Sequence, residues 1–209
     1  MRRGSGLALA LLLGGALALT AVPTEAERQA AVQQGEALAA KRQGYPVRDY
    51  LLYSVPDALS LSPGEGSVEA VQLATPLERA RWAGYFLTVQ GKPVTPDSVQ
   101  RVADLPGDRV EFIVYAHSNG EKDQDFLKSF GPATMQVQGQ AQVLVPSSVK
   151  LSGASLDNYR DADGQVVFRW TDAITYRFRV PEGASAGHLR FTDASGKRYD
   201  LPFDLGRYR

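Results

Sequence analysis

Five arginines near the end of the chain have the type and spacing that binding chemistry needs. Each falls at a polar position of a run in which apolar and polar residues alternate, so strands would carry them to the side facing away from the core. Guanidinium groups pair well with carboxylates and phosphates. The pattern predicts a surface for an anionic polymer, lipid head groups or an acidic protein, and pairing with neighbouring carboxylates is the alternative. The five are Arg169, Arg177, Arg179, Arg190 and Arg198.

An acidic turn offers a second kind of chemistry. Asp157, Asp161 and Asp163 precede Gly164, and carboxylate oxygens are the ligands that Ca²⁺ prefers. The spacing lacks the Asp-x-Asp-x-Asp-Gly core of an EF-hand loop, and Asp residues also favour solvated turns. Ca²⁺ is therefore the one cofactor the sequence suggests, with a metal-free turn as the alternative.

Two short motifs resemble those of serine enzymes, but neither has its partners. Gly183, Ser185 and Gly187 match Gly-x-Ser-x-Gly, yet no histidine follows His188 to complete a triad. Ser147 and Lys150 match Ser-x-x-Lys in a strand-rich region, whereas that chemistry needs both residues on one helical turn. Two histidines without cysteine make a poor zinc or copper site. No complete catalytic set is recognisable.

The amino-acid composition excludes several classes of protein. The 209 residues contain 23 Lys and Arg against 23 Asp and Glu, and this balance argues against a nucleic-acid binder. The chain has no cysteine, which excludes a disulfide scaffold, a zinc finger and a thiol nucleophile. A hydrophobic content of 44% is enough for a globular core.

The N-terminus has the pattern of a secretory signal peptide. Arg2 and Arg3 are followed by an apolar run at residues 7–21, which is too short to cross a bilayer comfortably. Small residues predict cleavage after Ala26, Ala21 is a second candidate, and an uncleaved anchor is the alternative. The expected product is exported to a periplasm or a cell surface and has no transmembrane span.

The elements that position these residues are predicted to be mostly strands. We expect a signal peptide at 1–26, a helical spacer at 27–44, an all-β domain at 45–205 and a tail at 206–209. Short runs of β-branched and aromatic residues separated by turn residues are typical of an antiparallel sandwich or barrel. Residues 49–90 either add strands to it or form a separate layer. Strands are predicted at 49–55, 68–73, 83–90, 109–117, 134–137, 142–145, 165–170, 174–180, 188–192 and 198–203.

Three of these segments carry a family resemblance. The run VEFIVYAHSNG at 110–120, FRVPEG at 178–183 and DASGKRY at 193–199 resemble segments of telokin-like, immunoglobulin-fold domains of unknown function on exported bacterial proteins. The resemblance covers roughly residues 105–205. It implies an immunoglobulin-like antiparallel β-sandwich outside the cytoplasm, and no assigned chemistry.

The function expected from these observations is an exported, non-enzymatic binding module of the cell envelope. It would present a sheet face or loops to an anionic envelope component or a protein, and not to nucleic acid. One alternative is an envelope hydrolase that works through carboxylates such as Asp123, Asp161 or Asp163. The other is a Ca²⁺-dependent envelope or adhesion protein that uses the acidic turn.

Overall fold

The computed structural model describes residues 22–61, 64 and 66–208, so residues 1–21 of the predicted signal peptide lie outside the described part. Ten strands, three α-helices and three short 3-10 turns occur in the described residues. The helices are α1 Glu25–Ala40, α2 Pro76–Val89 and α3 Pro96–Ala103. The 3-10 turns are Val47–Tyr50, Phe126–Ser129 and Leu205–Tyr208. The strands are β1 Leu51–Ser54, β2 Val68–Ala74, β3 Arg109–His117, β4 Thr134–Val137, β5 Val143–Leu144, β6 Ser148–Leu151, β7 Ser155–Arg160, β8 Val166–Arg179, β9 Ala186–Thr192 and β10 Arg198–Asp204.

The strands form two antiparallel sheets. The first has the order β1-β2-β3-β8-β6, and β7 pairs with the first part of β8, before β6 takes over. The second has the order β10-β9-β4-β5. The prediction of a mostly β, antiparallel fold is confirmed, and residues 51–54 and 68–74 belong to the first sheet.

The core lies between the two sheets. Phe112 of β3 and Phe178 of β8 are fully buried, and their rings lie 5.7 Å apart at their centroids. Phe203 of β10 lies 5.2 Å from Phe112 across the space between the sheets. The alternation seen in the sequence thus turns one apolar face of each sheet inward, as a β-sandwich requires.

The strand predicted at 83–90 is wrong, because these residues belong to α2. Thr75 caps this helix by accepting a hydrogen bond from the Glu78 amide, and Pro76 occupies its first turn. A capping residue followed by proline starts a helix efficiently. The cap outweighs the strand preference of the aromatic and β-branched residues that follow it.

Helices α1 and α2 pack at very short range, so the predicted spacer is docked on the domain. A Cβ placed at Gly84 would lie 2.3 Å from the Val32 carbonyl oxygen, and one at Gly35 would lie 2.0 Å from the Arg81 carbonyl oxygen. Only glycine permits such an approach of two backbones. The helical pair reaches the sandwich through tyrosines, since Tyr45 contacts Trp82, and Tyr50 contacts Tyr208.

Two observed strands, β6 and β7, are not predicted from the sequence. Two predicted strands form the single strand β8. β6 alternates polar and apolar residues over only four positions, all of them exposed. β7 is mostly polar and exposed and lacks the regular alternation that marks a half-buried strand. β8 runs unbroken through Thr171, Asp172 and Ala173, which separate the segments predicted at 165–170 and 174–180. Residues 205–208, placed at the end of the domain and in a tail, form a 3-10 turn in which Leu205 and Tyr208 are buried.

Candidate functional site

The structure divides the five predicted arginines between two surfaces. Arg169, Arg177 and Arg179 lie on β8 in the first sheet, whereas Arg190 and Arg198 lie on β9 and β10 in the second. The outer faces of two packed sheets point in opposite directions. The five arginines therefore do not form one continuous stripe.

Arg177 forms a salt bridge with the buried carboxylate of Glu111. Its guanidinium lies 2.7 Å from Glu111 Oε1, and Arg79 of α2 lies 2.8 Å from the other oxygen of the same carboxylate. Burial would lower the pKa of Arg177, but the hydrogen bond and charge of Glu111, with those of Asp104, outweigh it and raise that pKa. Glu111 thus joins α2 to the sheet through Arg79. Arg177 joins the loop before β3 to the sheet through Asp104.

The remaining arginines of the predicted surface have local partners. Arg179 Nε donates to Asp108 at 2.9 Å, and Arg190 Nε donates to Asp200 at 2.9 Å. The hydrogen bonds from Arg190 and then from His188 hold the pKa of Asp200 below its usual range. Arg169 donates to the Phe168 carbonyl oxygen at 2.8 Å. Arg198 begins β10 and is exposed.

The carboxylates of the acidic turn accept hydrogen bonds from nearby backbone amides. Asp161 accepts hydrogen bonds from the amides of Asp163 and Gln165, and Asp157 accepts one from the Asn158 amide. In the described part of the chain, no group of three or more histidine, aspartate or glutamate residues is arranged to hold a metal ion. The structure thus does not bring Asp157, Asp161 and Asp163 together as a Ca²⁺ cage.

A carboxyl group with a raised pKa lies elsewhere, on β2. Burial raises the pKa of Glu69, whose carboxylate accepts a hydrogen bond from the Tyr159 hydroxyl. The His117 ring lies 5.2 Å from the Tyr159 ring. The cavity beside Glu69 and His117 has a volume of about 30 Å³, roughly the share of one water molecule. This pair has the residue types for proton transfer, but the cavity that both residues line holds about one water molecule, and the pocket of about 490 Å³ that His117 also lines does not include Glu69.

An apolar groove opens at the end of the sandwich where β3 begins and β8 ends. Its volume is about 580 Å³, within the range of about 300–1,000 Å³ that is usual for small-molecule sites. It lies between the two sheets, because β3 and β8 belong to the first sheet and β5 to the second. Its apolar wall is formed by Leu77, Val110, Leu144, Val180, Leu205 and Tyr208.

Strand ends and turns form the walls of this groove. Pro181 follows the last residues of β8, and Gly107 precedes β3, so both strands stop at the groove. The Val180 amide donates to the Asp108 carbonyl oxygen at 2.8 Å. The Thr75 hydroxyl, which caps α2, donates to the Tyr208 carbonyl oxygen at 3.0 Å and fixes the C-terminal turn. The walls are thus fixed by backbone contacts rather than by side chains alone.

Four charged residues border the apolar wall, and one of them is incompletely satisfied. They are Asp108, Arg109, Arg179 and Glu182. The Arg109 Nε atom is buried and has no hydrogen-bond partner among the described residues, and it lies 3.8 Å from Asp108 Oδ1. A buried donor without an acceptor is rare in proteins. A cationic side chain with one unpaired donor thus lies at the border of the groove.

Sequence reasoning found only Arg179 of this groove. The other residues come from segments that lie far apart in the chain and meet only in the folded structure. One local signal was present, since Leu205 and Tyr208 are large apolar residues after the last predicted strand, where a solvated tail would be polar.

Comparisons with known proteins leave the site to be interpreted from its own geometry. No protein-family model, no curated protein and no solved structure matches this chain significantly. Within the described residues, no helix is both long enough and apolar enough to cross a membrane.

Proposed function

We propose that this chain is an exported, non-enzymatic binding module of the cell envelope that takes its ligand in the apolar groove. The observation that carries the proposal is a groove of about 580 Å³ with an apolar wall and a few polar groups at its border. That combination is typical of sites that bind small molecules. The pattern of the N-terminal residues supports export.

The ligand we propose is a single-chain amphiphile, an aliphatic chain that ends in a carboxylate. The wall residues, among them Leu144 and Val180, offer aliphatic contacts for the chain. The Arg109 Nε atom needs an acceptor, and Arg179 is 79% exposed and so is accessible to a charged group. A carboxylate accepts such charge-assisted hydrogen bonds better than a neutral oxygen does.

The finer fold assignment belongs to the same proposal. Two antiparallel sheets packed face to face support an immunoglobulin-like sandwich of the telokin-like kind. The helices inserted between β2 and β3 are additional to a plain sandwich of this kind, and they supply one side of the groove through Pro76 and Leu77.

The arginines of the predicted anionic surface give weaker support to a different docking face. Carboxylates already lie at short range from Arg177, Arg179 and Arg190. An anionic partner would have to displace those carboxylates. We therefore propose the groove as the binding site. Arg179 borders it, and because only its Nε atom donates to Asp108 and its side chain is largely exposed, it is the member of that set that contributes to the site.

Titration with dodecanoate, a twelve-carbon fatty acid, tests the proposal. We expect saturable binding by calorimetry to the chain that begins at Glu27. Leu144→Glu places a carboxylate in the wall and should weaken binding by at least about tenfold, because the acid repels the ligand and adds a charge to an apolar site. Arg109→Gln should weaken it by about tenfold through loss of the charged donor.

Val143→Glu is the matched control for Leu144→Glu. Val143 precedes Leu144 on β5, is 50% exposed and is not part of the groove wall. This variant should bind dodecanoate as the unchanged chain does, and the melting temperature of each variant shows that it is folded. Equal affinity of the Leu144 and Val143 variants would refute the groove as the site.

A further inference from the structure

Two residues near the start of the described chain form part of the groove lining. Val22 and Pro23, the first described residues, line it beside the loop that precedes β3. A Cβ placed at Gly107 would lie 2.3 Å from Val22 Cγ1, and the three nearest atoms to it all belong to Val22 and Pro23. These two residues thus fill the space above Gly107.

The segment with Val22 contacts the groove with only part of its surface. Val22 is 53% exposed, so it covers the groove on one side and faces solvent on the other. The buried apolar residues of the described chain begin at Ala31, well after this segment. A chain that begins at Glu27 therefore keeps every one of them, and of α1 it lacks Glu25, Ala26 and the capping residue Thr24.

The two candidate cleavage sites differ in what they do to this contact. Cleavage after Ala21 leaves Val22 and Pro23 in place. It also keeps the cap of α1, in which Thr24 accepts from the Glu27 amide and Glu27 accepts from the Thr24 amide. Cleavage after Ala26 removes Val22, Pro23 and the capping residue together.

We propose that Val22 and Pro23 form a plug that closes part of the groove in the unprocessed chain, and that cleavage after Ala26 opens it. This inference rests on the proposed function, because it concerns access to the same site. The volume of about 580 Å³ is empty with Val22 and Pro23 in place, so the plug covers one side of the groove and narrows the access of a ligand chain to the wall. Binding thereby becomes a property of the processed protein.

Comparison of two processed forms tests the plug. The chain from Val22 and the chain from Glu27 are the products of the two candidate cleavages. We expect dodecanoate to bind the chain from Glu27 about tenfold more tightly. In the chain from Val22, replacing Val22 and Pro23 with serine should restore tight binding while Thr24 still caps α1, so the cap cannot explain the difference. Equal affinities of the two forms would overturn the plug.

Gly107→Ala provides a second, opposite probe. The added Cβ meets Val22 and Pro23, so in the chain from Val22 it should expel the plug and raise the affinity for dodecanoate. In the chain from Glu27 those neighbours are absent, so no such increase in affinity is expected there. Val89→Ser, at an exposed position of α2 outside the groove, is the control and should change neither form.

Hydrogen exchange separates failure of the plug from failure of the proposed function. If neither form binds dodecanoate, the proposed ligand is wrong, and the plug is then judged without a ligand. We expect the amides of residues 107–110 to exchange faster in the chain from Glu27 than in the chain from Val22, and Gly107→Ala to abolish the difference. Equal exchange in the two forms would refute the plug.

Discussion

At the scale of single residues, buried carboxylates hold distant segments together. Asp193 is 2% exposed and accepts five hydrogen bonds: from the Ser67, Ser195 and Lys197 amides and the Ser195 and Tyr199 hydroxyls. Burial alone would raise the pKa of Asp193, but the hydrogen bonds from Ser195, Ser67 and Lys197 outweigh it and hold that pKa below its usual range. The carboxylate ties the start of β2 to the β9–β10 turn.

Asp193→Asn should therefore destabilise the fold by about 2–3 kcal/mol, because an amide group places a donor where the backbone offers donors. A carboxyl whose pKa is lowered by folding contributes stability above its unfolded pKa and loses it as the pH falls through the folded pKa. The wild-type chain should thus lose stability in acid, and the variant should lose less. Urea unfolding at several pH values measures both effects, with the exposed Asp163→Asn as control.

We expect the carboxyl group of Glu69 to give the opposite dependence of folding stability on pH. Its pKa is raised by burial, although the Tyr159 hydrogen bond and the charge of His117 act against this and Asp157 adds to it. A carboxyl whose pKa is raised by folding contributes stability that is fully present below its unfolded pKa and is lost as the pH rises through the folded pKa.

Glu69→Gln should remove this loss, so its free energy of unfolding should fall less than that of the wild type as the pH rises from the ordinary glutamate range to neutrality. The same urea series measures it. A parallel decline in the two proteins would show that Glu69 does not titrate in this range.

At the scale of elements, the crossing of α1 and α2 depends on two glycines. Gly84 faces the Val32 carbonyl and Gly35 faces the Arg81 carbonyl, so each helix supplies one gap for the other's backbone. The strength of this packing was not visible in the sequence, since an alanine-rich helix offers little area to bury. Close contact between backbones compensates for the small side chains.

Gly84→Ala should separate the helices even though alanine favours helix formation. The Cβ would lie 2.3 Å from a backbone oxygen that no side-chain rotation can move. We expect a loss of about 2–3 kcal/mol, more than the helix propensity of alanine recovers. Gly44→Ala, where a Cβ meets nothing within 4 Å, should leave the melting temperature unchanged. Equal melting temperatures of both variants would refute the close crossing.

At the scale of the whole molecule, the sequence predicts what alternation encodes and misses what long-range contacts decide. The strands at 109–117 and 134–137 were predicted with the observed bounds, because their inward residues meet one continuous core. The edge strand β6 was missed because it has only four residues, all exposed, so its alternation is too short to mark a strand. The groove was missed because its wall joins Leu77, Val110 and Leu205, which come together only when both sheets are formed.

The position of the last described residues has a practical consequence for any attachment to this protein. Tyr208 lines the groove, so a tag fused directly after the 3-10 turn Leu205–Tyr208 would crowd the groove mouth. The turn at residues 161–164 precedes β8, whose other end reaches the groove, so this turn lies at the far end of the sandwich. A dye or surface tether placed there, at the exposed Asp163, would leave the mouth of the groove pointing away from the support.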